Sequence, residues 1–267
     1  MPRAGASGGG TGPLLEIVIP AYNEAARLPR GLDLLGSELD RLGLKASIIV
    51  VDNASTDRTA ELAARWTGPV PVRVLNCPRR GKGAAVRVGL LATTAPYVGF
   101  CDADMATDLG VLGEVLTLLG EGTHVVVGSR RHPGSLVRPR NNPLRRLGAI
   151  TFNRLSRDLV GGVQDTQCGF KFFAGPLARA AAADLRTTGF AFDVELLMHC
   201  RRRGAPIHDL PVRWDDVDGS TFSVRRHSLG CLRDLLRIRV QALAAAPAAR
   251  RVAGTPRIAE PAKTSVG

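Results

Sequence analysis

Leu14-Leu15-Glu16-Ile17-Val18-Ile19-Pro20 runs straight into Ala21-Tyr22-Asn23-Glu24, a largely apolar stretch that stops at proline and gives way to polar side chains. The stretch reads as a buried strand. Beyond it Leu28, Leu32, Leu35, Leu39 and Leu42 recur at three- and four-residue spacing, the mark of a helix with one apolar face. The alternation repeats downstream. Ala46–Val51, Val72–Leu75, Tyr97–Cys101 and His124–Gly128 read as further strands, separated by helices over Asp57–Trp66, Gly83–Leu91 and Leu109–Leu119. The strands are continuous apolar runs rather than alternating ones, which predicts a mainly parallel, Rossmann-like α/β sheet with helices on both faces. Ligands in such folds bind beyond the carboxyl ends of the strands.

The later segments are less regular. Ser129–Arg146 carries Arg130, Arg131, Arg138, Arg140, Arg145 and Arg146 with no acidic residue, and reads as a mobile basic loop. Pro143–Leu159 looks helical at its end, Cys168–Phe173 strand-like, Phe192–Arg202 helical and Ile207–Trp214 a last strand. Residues 1–13 read as a disordered leader, 14–225 as the folded domain, 226–243 as an amphipathic basic helix and 244–267 as a flexible tail. On that helix Leu229, Leu232, Leu236, Val240 and Leu243 share one side, with Arg233 and Arg237 beside it and Arg239 within it. Two uses fit it equally: lying in a membrane interface, or packing on the domain or on another copy.

Composition narrows the classes. The chain has 267 residues, 45% apolar and 22% charged, ordinary for a globular protein and wrong for a disordered one. Net charge is +12, and of the 36 basic residues only Lys45, Lys82, Lys171 and Lys263 are lysine. Arginine suits bidentate contact with phosphates, so a phosphate-bearing partner is expected. The cysteines (Cys77, Cys101, Cys168, Cys200 and Cys231) are dispersed without a CxxC pair, which argues against a disulfide scaffold or zinc ribbon and for a reduced, cytoplasmic setting. No stretch approaches the ~20 apolar residues of a membrane span, and no signal peptide is present. A soluble or peripheral protein is expected.

The strand ends carry the chemistry. In order they present Pro20-Ala21-Tyr22-Asn23-Glu24, Asp52-Asn53-Ala54-Ser55-Thr56-Asp57, Arg80-Gly81-Lys82-Gly83 and Asp102-Ala103-Asp104. An aromatic ring stacks on a base, and an acid accepts from a base N–H or a ribose hydroxyl. Two carboxylates one residue apart suit a hard divalent cation that in turn holds a diphosphate. Asp57 alone reads as a helix N-cap. Gly81-Lys82-Gly83 is no phosphate loop, because GxxxxGK[ST] is absent, and Val86 breaks GxGxxG.

This ordered set resembles the family 2 glycosyltransferases of GT-A fold. Gly128-Ser129-Arg130, Asp165-Thr166-Gln167-Cys168-Gly169-Phe170-Lys171 and Phe192-Asp193-Val194-Glu195-Leu196-Leu197 make it similar to the polyprenyl-phosphate branch, in particular to dolichyl-phosphate β-glucosyltransferases. The resemblance spans about Leu14 to Arg225. It implies inverting transfer of a hexose, UDP-glucose being the favoured donor, to a polyprenyl or dolichyl phosphate at the cytoplasmic face of a membrane. It also implies roles. Pro20, Tyr22, Glu24 and Asp52 would line the base and ribose pocket, with Lys82 near base or phosphate. Asp102 would contact ribose or donor sugar and, with Asp104, form the pair for Mg²⁺ or Mn²⁺, Asp104 holding the ion on the diphosphate. Arg130 would meet acceptor or donor phosphates, and Asp165 would be the catalytic residue beside the anomeric carbon.

Two departures stand out. Many relatives have a second Asp where this chain has Asn53, and the eukaryotic glucosyltransferases begin with a membrane anchor that residues 1–13 cannot supply. A sugar hydroxyl as acceptor would oblige a general base. A phosphate monoester, with a second pKa near ~6, is already largely dianionic. Asp165 is therefore expected to position a group rather than remove a proton. Rival readings are a GDP-mannose-dependent mannose synthase, a non-catalytic nucleotide-sugar-binding domain, and a nucleic-acid-binding protein. The last fits poorly, since aromatics are only 4% and the candidate cleft is acidic. An anionic membrane surface is the expected macroscopic partner, drawn by the basic loop and helix.

Overall fold

The computed structural model describes residues 12–138, 152–215 and 224–249, with side chains in the last segment described for 230–243. The expectations for residues 1–11 and 250–267, and for Arg140, Arg145 and Arg146, lie outside the described residues.

The predicted alternation is present. Strands β1 (Leu15–Ala21), β2 (Ala46–Asp52), β3 (Val72–Asn76), β4 (Tyr97–Cys101) and β5 (Val125–Ser129) alternate with helices α1 (Leu28–Arg41), α2 (Thr59–Arg65), α3 (Lys82–Leu91) and α4 (Leu112–Gly120). Further on come β6 (Leu136–Arg138), a helical stretch at 152–157, β7 (Phe170–Ala174), α5 (Gly175–Asp184), α6 (Phe192–Arg202), β8 (Ile207–Pro211), β9 (Arg213–Asp215) and α7 (Val224–Ala249). The main sheet has seven strands in the order β3-β2-β1-β4-β7-β5-β8, all parallel except β7, which is antiparallel to both neighbours. It is buried on both faces: Ile17 and Ile19 join the core under α1 and α4, while Val18 joins the one under α3, α5 and α6. That two-sided burial is why the strands read as unbroken apolar runs.

Register gathers the site. Ala21 lies beside Asp52, Asp52 beside Asn76, and Val18 beside Phe100, so the ends of β1, β2, β3 and β4 open on one edge. An antiparallel strand brings its start to the edge where parallel strands bring their ends. Cys101 pairs with Phe170, so the segment Asp165–Gly169 before β7 arrives beside Asp102.

Several predicted elements need correction. The helix expected over Asp57–Trp66 starts at Thr59, after Asp57 has turned its carboxylate to the backbone N–H of Thr59. Leu109–Leu119 opens with a 3₁₀ turn, Leu109–Val111. The basic loop contains strand β6, and Ile207–Trp214 is two strands in different sheets, because β9 leaves β8 to pair with β6. Helix α5 lacked a clear apolar period and went unpredicted. Helix α7 runs past Leu243 to Ala249, and its packed face is Cys231, Leu235 and Ile238 rather than the leucine stripe.

Leu32 is fully buried on the inner face of α1. Leu32→Ala is expected to lower the unfolding free energy by about 2–5 kcal/mol in urea denaturation.

Candidate functional site

Backbone geometry first ties the β1 and β2 ends together. Ser55 Oγ accepts from the Asn23 N–H (3.0 Å), Asn23 Oδ1 accepts from the Thr56 N–H (2.8 Å), and Asp57 Oδ2 accepts from the Ala25 N–H (3.1 Å). Asn23 at φ 53° and Ala54 at φ 57° take left-handed backbone to make these turns. Asp57 is thus a structural brace, but not the helix N-cap it was expected to be: that position is Arg58, and Asp57 stands one residue before it. Pro20 is half-buried at the end of β1, and Tyr22 is exposed with the Arg80 guanidinium over its ring at 5.8 Å.

Asp52 is buried at the end of β2, and its Oδ1 meets no hydrogen-bond partner among the described residues. Leaving a buried acceptor unmet costs about 1–3 kcal/mol. At a sheet edge such an atom is open to a donor from a ligand or from water. Beside it Asn53 is fully employed: Nδ2 donates to the carbonyls of Cys77 (3.2 Å) and Arg79 (2.8 Å), and Oδ1 accepts from the Gly81 N–H (2.7 Å). An aspartate has no donor for those carbonyls, which gives the Asn53 departure a physical reason. It anchors the loop that delivers Lys82.

Lys82 reaches Asp102, Nζ to Oδ1 at 2.5 Å. Burial alone would lower the lysine pKa, but Asp102 and Asp193 outweigh it and the pKa is raised. The first turn of α3 is not open to an anion, because the Thr188 carbonyl accepts from the Gly83 N–H at 2.8 Å. Asp102 has room because Gly169 has no side chain: a Cβ there would fall on its carboxylate.

Asp104 is half-buried, held by the Ala106 N–H (3.3 Å) and more loosely by Arg27 Nη1 (3.7 Å). Burial first, then the Asp102 charge, raises its pKa. Glu24 is also raised, burial again leading, although Arg27 grips it with two bonds of 2.7 and 2.6 Å. Arg27 thus stands between Glu24 and Asp104, a member of the site that the sequence reading missed. Its signal was modest: a basic residue three positions after Glu24. These oxygens fit Mg²⁺ or Mn²⁺. Carboxylate oxygens are the donors such ions take, and Asp102 lies near enough for its charge to add to burial in raising the Asp104 pKa. Among the described residues no three or more His, Cys, Asp or Glu gather as a metal cage. Asp102 and Asp104 are the carboxylates that would hold such an ion, and Mg²⁺ commonly takes only one or two protein carboxylates beside ligand phosphates and water.

Asp165 is 1% exposed and wholly occupied by Arg130. Arg130 donates through Nε (2.6 Å) and Nη2 (2.9 Å), its backbone N–H adds a third bond (3.1 Å), and Gln167 adds a fourth (3.2 Å). Burial would raise the Asp165 pKa, yet Arg130 brings it below the ordinary carboxylate range. For a depressed pKa, the pair's stabilisation is present above the unfolded value and is lost only as pH falls through the lowered one. Asp165 is therefore ionised throughout the neutral range. Arg130 is raised in turn, Asp165 outweighing burial, and lies 5.4 Å from the Trp214 ring.

Beneath these groups Lys171, fully buried, donates to Asp193 Oδ1 (2.6 Å) and to the Cys168 carbonyl, with its ammonium 5.2 Å from the Phe100 ring. Glu195 accepts the N–H groups of Arg186 (3.1 Å) and Thr187 (2.7 Å), fixing the loop whose Thr188 carbonyl caps α3. Neither role was predicted. Lys171 and Asp193 lay in motifs already noted, but only a contact between β7 and α6 reveals the pair.

The structure thus brings Glu24, Lys82, Asp102 and Asp104 into one charge cluster beside Tyr22 and Asp52. Arg130 and Asp165 form a second, adjoining pair.

Comparison with known proteins gives the family and the fold. The family model described as Glycosyl transferase family 2 matches residues 16–182. The chain is 35% identical over 245 residues to the dolichyl-phosphate beta-glucosyltransferase of Dictyostelium discoideum, covering 86% of this chain and 75% of that protein. It is 33% identical over 248 residues to the human protein of that name, with 87% and 76% covered. Among solved structures, glucosyl-3-phosphoglycerate synthase of Mycobacterium tuberculosis with Mn²⁺, uridine diphosphate and glucosyl-3-phosphoglycerate superposes with a TM-score of 0.61 at 21% identity. That match covers 86% of this chain and 80% of the synthase. It bears out the GT-A architecture.

Asn53→Asp sets a carboxylate against two carbonyl oxygens and is expected to cost about 1–3 kcal/mol. Thermal unfolding reads the loss as a lowered midpoint.

Proposed function

This chain belongs to glycosyl transferase family 2 and is a glycosyltransferase, and from that membership we propose that it moves glucose from UDP-glucose to a dolichyl or other polyprenyl phosphate with inversion, with residues 14–225 as the transferase domain. The observation that carries the reading is the unpartnered Oδ1 of buried Asp52, at a sheet edge that also presents Tyr22 and the Lys82–Asp102–Asp104 charges.

In this reading Pro20, Tyr22, Glu24 and Asp52 receive the base and ribose, Asp52 Oδ1 taking the donor hydrogen it lacks. Lys82 holds Asp102 in place and offers positive charge toward the donor phosphates. Asp104, with Asp102 beside it, binds Mg²⁺ or Mn²⁺. When bound, the ion neutralises charge that builds on the departing diphosphate. Arg130 faces the acceptor phosphate, held in orientation by Asp165. An oxygen of that phosphate, already anionic, attacks the anomeric carbon as the bond to the nucleotide diphosphate breaks. No proton has to be removed from the nucleophile, so Asp165 serves by positioning Arg130.

A lipid acceptor sets the reaction at a membrane surface. Among the described residues no helix is long and apolar enough to cross a membrane. The unpaired cysteines support the cytoplasmic face, peripherally bound, as the site of action.

The direct test is incubation with dolichyl phosphate, Mg²⁺ or Mn²⁺, and UDP-glucose or GDP-mannose in parallel, followed by mass analysis of the lipid. Hexosyl-phosphoryl-dolichol from UDP-glucose is expected. Product from GDP-mannose alone would overturn the choice of donor. Asp104→Ala is expected to lower turnover by at least ~100-fold. Asp165→Asn is expected to raise the acceptor KM about tenfold while the pH–rate profile keeps its shape, falling on the acid side as the acceptor phosphate is protonated. Loss of a limb in that variant would make Asp165 a titrating base instead.

A further inference from the structure

Helix α7 carries two apolar faces, and only one is used. Cys231, Leu235 and Ile238 are buried against the domain, joining the core beside α6. Leu232, Leu236, Val240 and Leu243 are 44%, 57%, 65% and 70% exposed. At about 100° per residue these four fall within one narrow stripe, turned roughly 130° from the buried face. The other exposed large apolar side chains (Leu14, Tyr22, Leu34, Leu91 and Leu136) belong to separate segments, so α7 is the element with the most exposed large apolar side chains among the described residues. Left in water the stripe contributes no hydrophobic stabilisation, and contiguous apolar patches of this kind mark contact sites.

We propose that this stripe, with exposed Arg233 and Arg237 along one edge, is the surface by which the chain docks on an anionic lipid bilayer. The charge pattern selects that occupant. Arg233 and Arg237 border the leucines on one side, and Arg239 borders them on the other, reaching Asp158 at 3.3 Å. Arginines that flank an apolar stripe lay their stems along the hydrocarbon and their guanidinium groups at headgroup level. Pairing of two copies along the stripe would instead set arginine edges against one another across a self-complementary contact. The placement suits the activity as well. Asp234 Oδ2 lies 3.1 Å from where a Cβ on Gly189 would stand. Gly189 follows Thr188, whose carbonyl holds the first turn of α3 and so the backbone next to Lys82. A bilayer on the stripe of α7 would thus meet a helix that packs beside the loop holding the start of α3.

The inference deepens the reading above, since a lipid acceptor is met at a bilayer, but the two are separable. The test is flotation of the full chain with phosphatidylcholine vesicles, with and without phosphatidylglycerol, together with transfer to a short-chain, water-soluble polyprenyl phosphate. The wild type is expected to float with phosphatidylglycerol vesicles, and less with neutral vesicles or at high salt. Leu236→Glu with Val240→Glu is expected to cut the bound fraction about tenfold, leaving the thermal midpoint and transfer to the soluble acceptor unchanged. Arg233→Glu with Arg237→Glu is expected to remove the preference for anionic vesicles. Wild-type flotation by the leucine-stripe variant overturns the proposal. So does a wild type that ignores vesicles and forms a dimer dissolved by the same changes. Normal flotation without transfer to any acceptor would sink the glucosyltransferase reading and leave this surface standing.

Discussion

Carboxylates gathered at one edge of a sheet repel one another, and at about 4 Å and an effective dielectric near 20 each such pair costs about 4 kcal/mol. Most of these acids are offset by a nearby cation, while buried Asp52 has none among the described residues. Glu24 and Asp104 share Arg27 from the approach to α1, Asp102 has Lys82 from α3, Asp165 has Arg130 from the end of β5, and Asp193 has Lys171 from β7. The compensation is uneven, and the unevenness is informative. Asp165 is held by four hydrogen bonds and its proton affinity is lowered, whereas Glu24 and Asp104 keep raised affinities despite Arg27. At Asp165 the bonds from Arg130 outweigh burial, whereas at Glu24 and Asp104 burial outweighs the hold of Arg27.

The loops around Lys82 are tied down through backbone N–H and carbonyl groups. Asn53 holds the Cys77–Gly81 loop, Thr188 holds the N-terminus of α3, and Glu195 holds Thr187. Each link fixes one end of the next, so Lys82 is positioned by residues from β2, α6 and the loop before α6. Gly81, at φ 123°, is the position where this chain of contacts needs a glycine, because a side chain there would meet the Thr188 carbonyl.

The parallel half of the fold was legible in the sequence because local signals and long-range structure agree there. Strands buried on both faces make unbroken apolar runs, and polar residues follow each run at the ligand-binding edge. Agreement ends at β7. Its composition reads as a strand, but its direction and its place between β4 and β5 depend on pairing with residues far away in sequence, which periodicity does not encode. Helix α7 shows a different limit. Periodicity reports where apolar side chains lie on a helix, not which of two apolar faces meets the core. The leucine stripe gave the stronger pattern, yet Cys231, Leu235 and Ile238 are the residues that pack. The order of the acids was readable as well, but Arg27, Lys171 and the anchoring by Asn53 appear only once separate elements are brought into contact.

The Asp165–Arg130 pair bears on what kind of acceptor this architecture can serve. A base that must deprotonate a sugar hydroxyl needs a lone pair free to take the proton and a pKa near the working pH. Asp165 has neither: its oxygens are spent on Arg130 and Gln167, and its pKa is pushed down, away from neutrality. What the pair does offer is a guanidinium locked in one orientation, its approach bounded by the Trp214 ring. A fixed guanidinium is suited to an anion, and an anionic oxygen is a nucleophile that needs no base. The pair is thus built as a fixed guanidinium and not as a free carboxylate base.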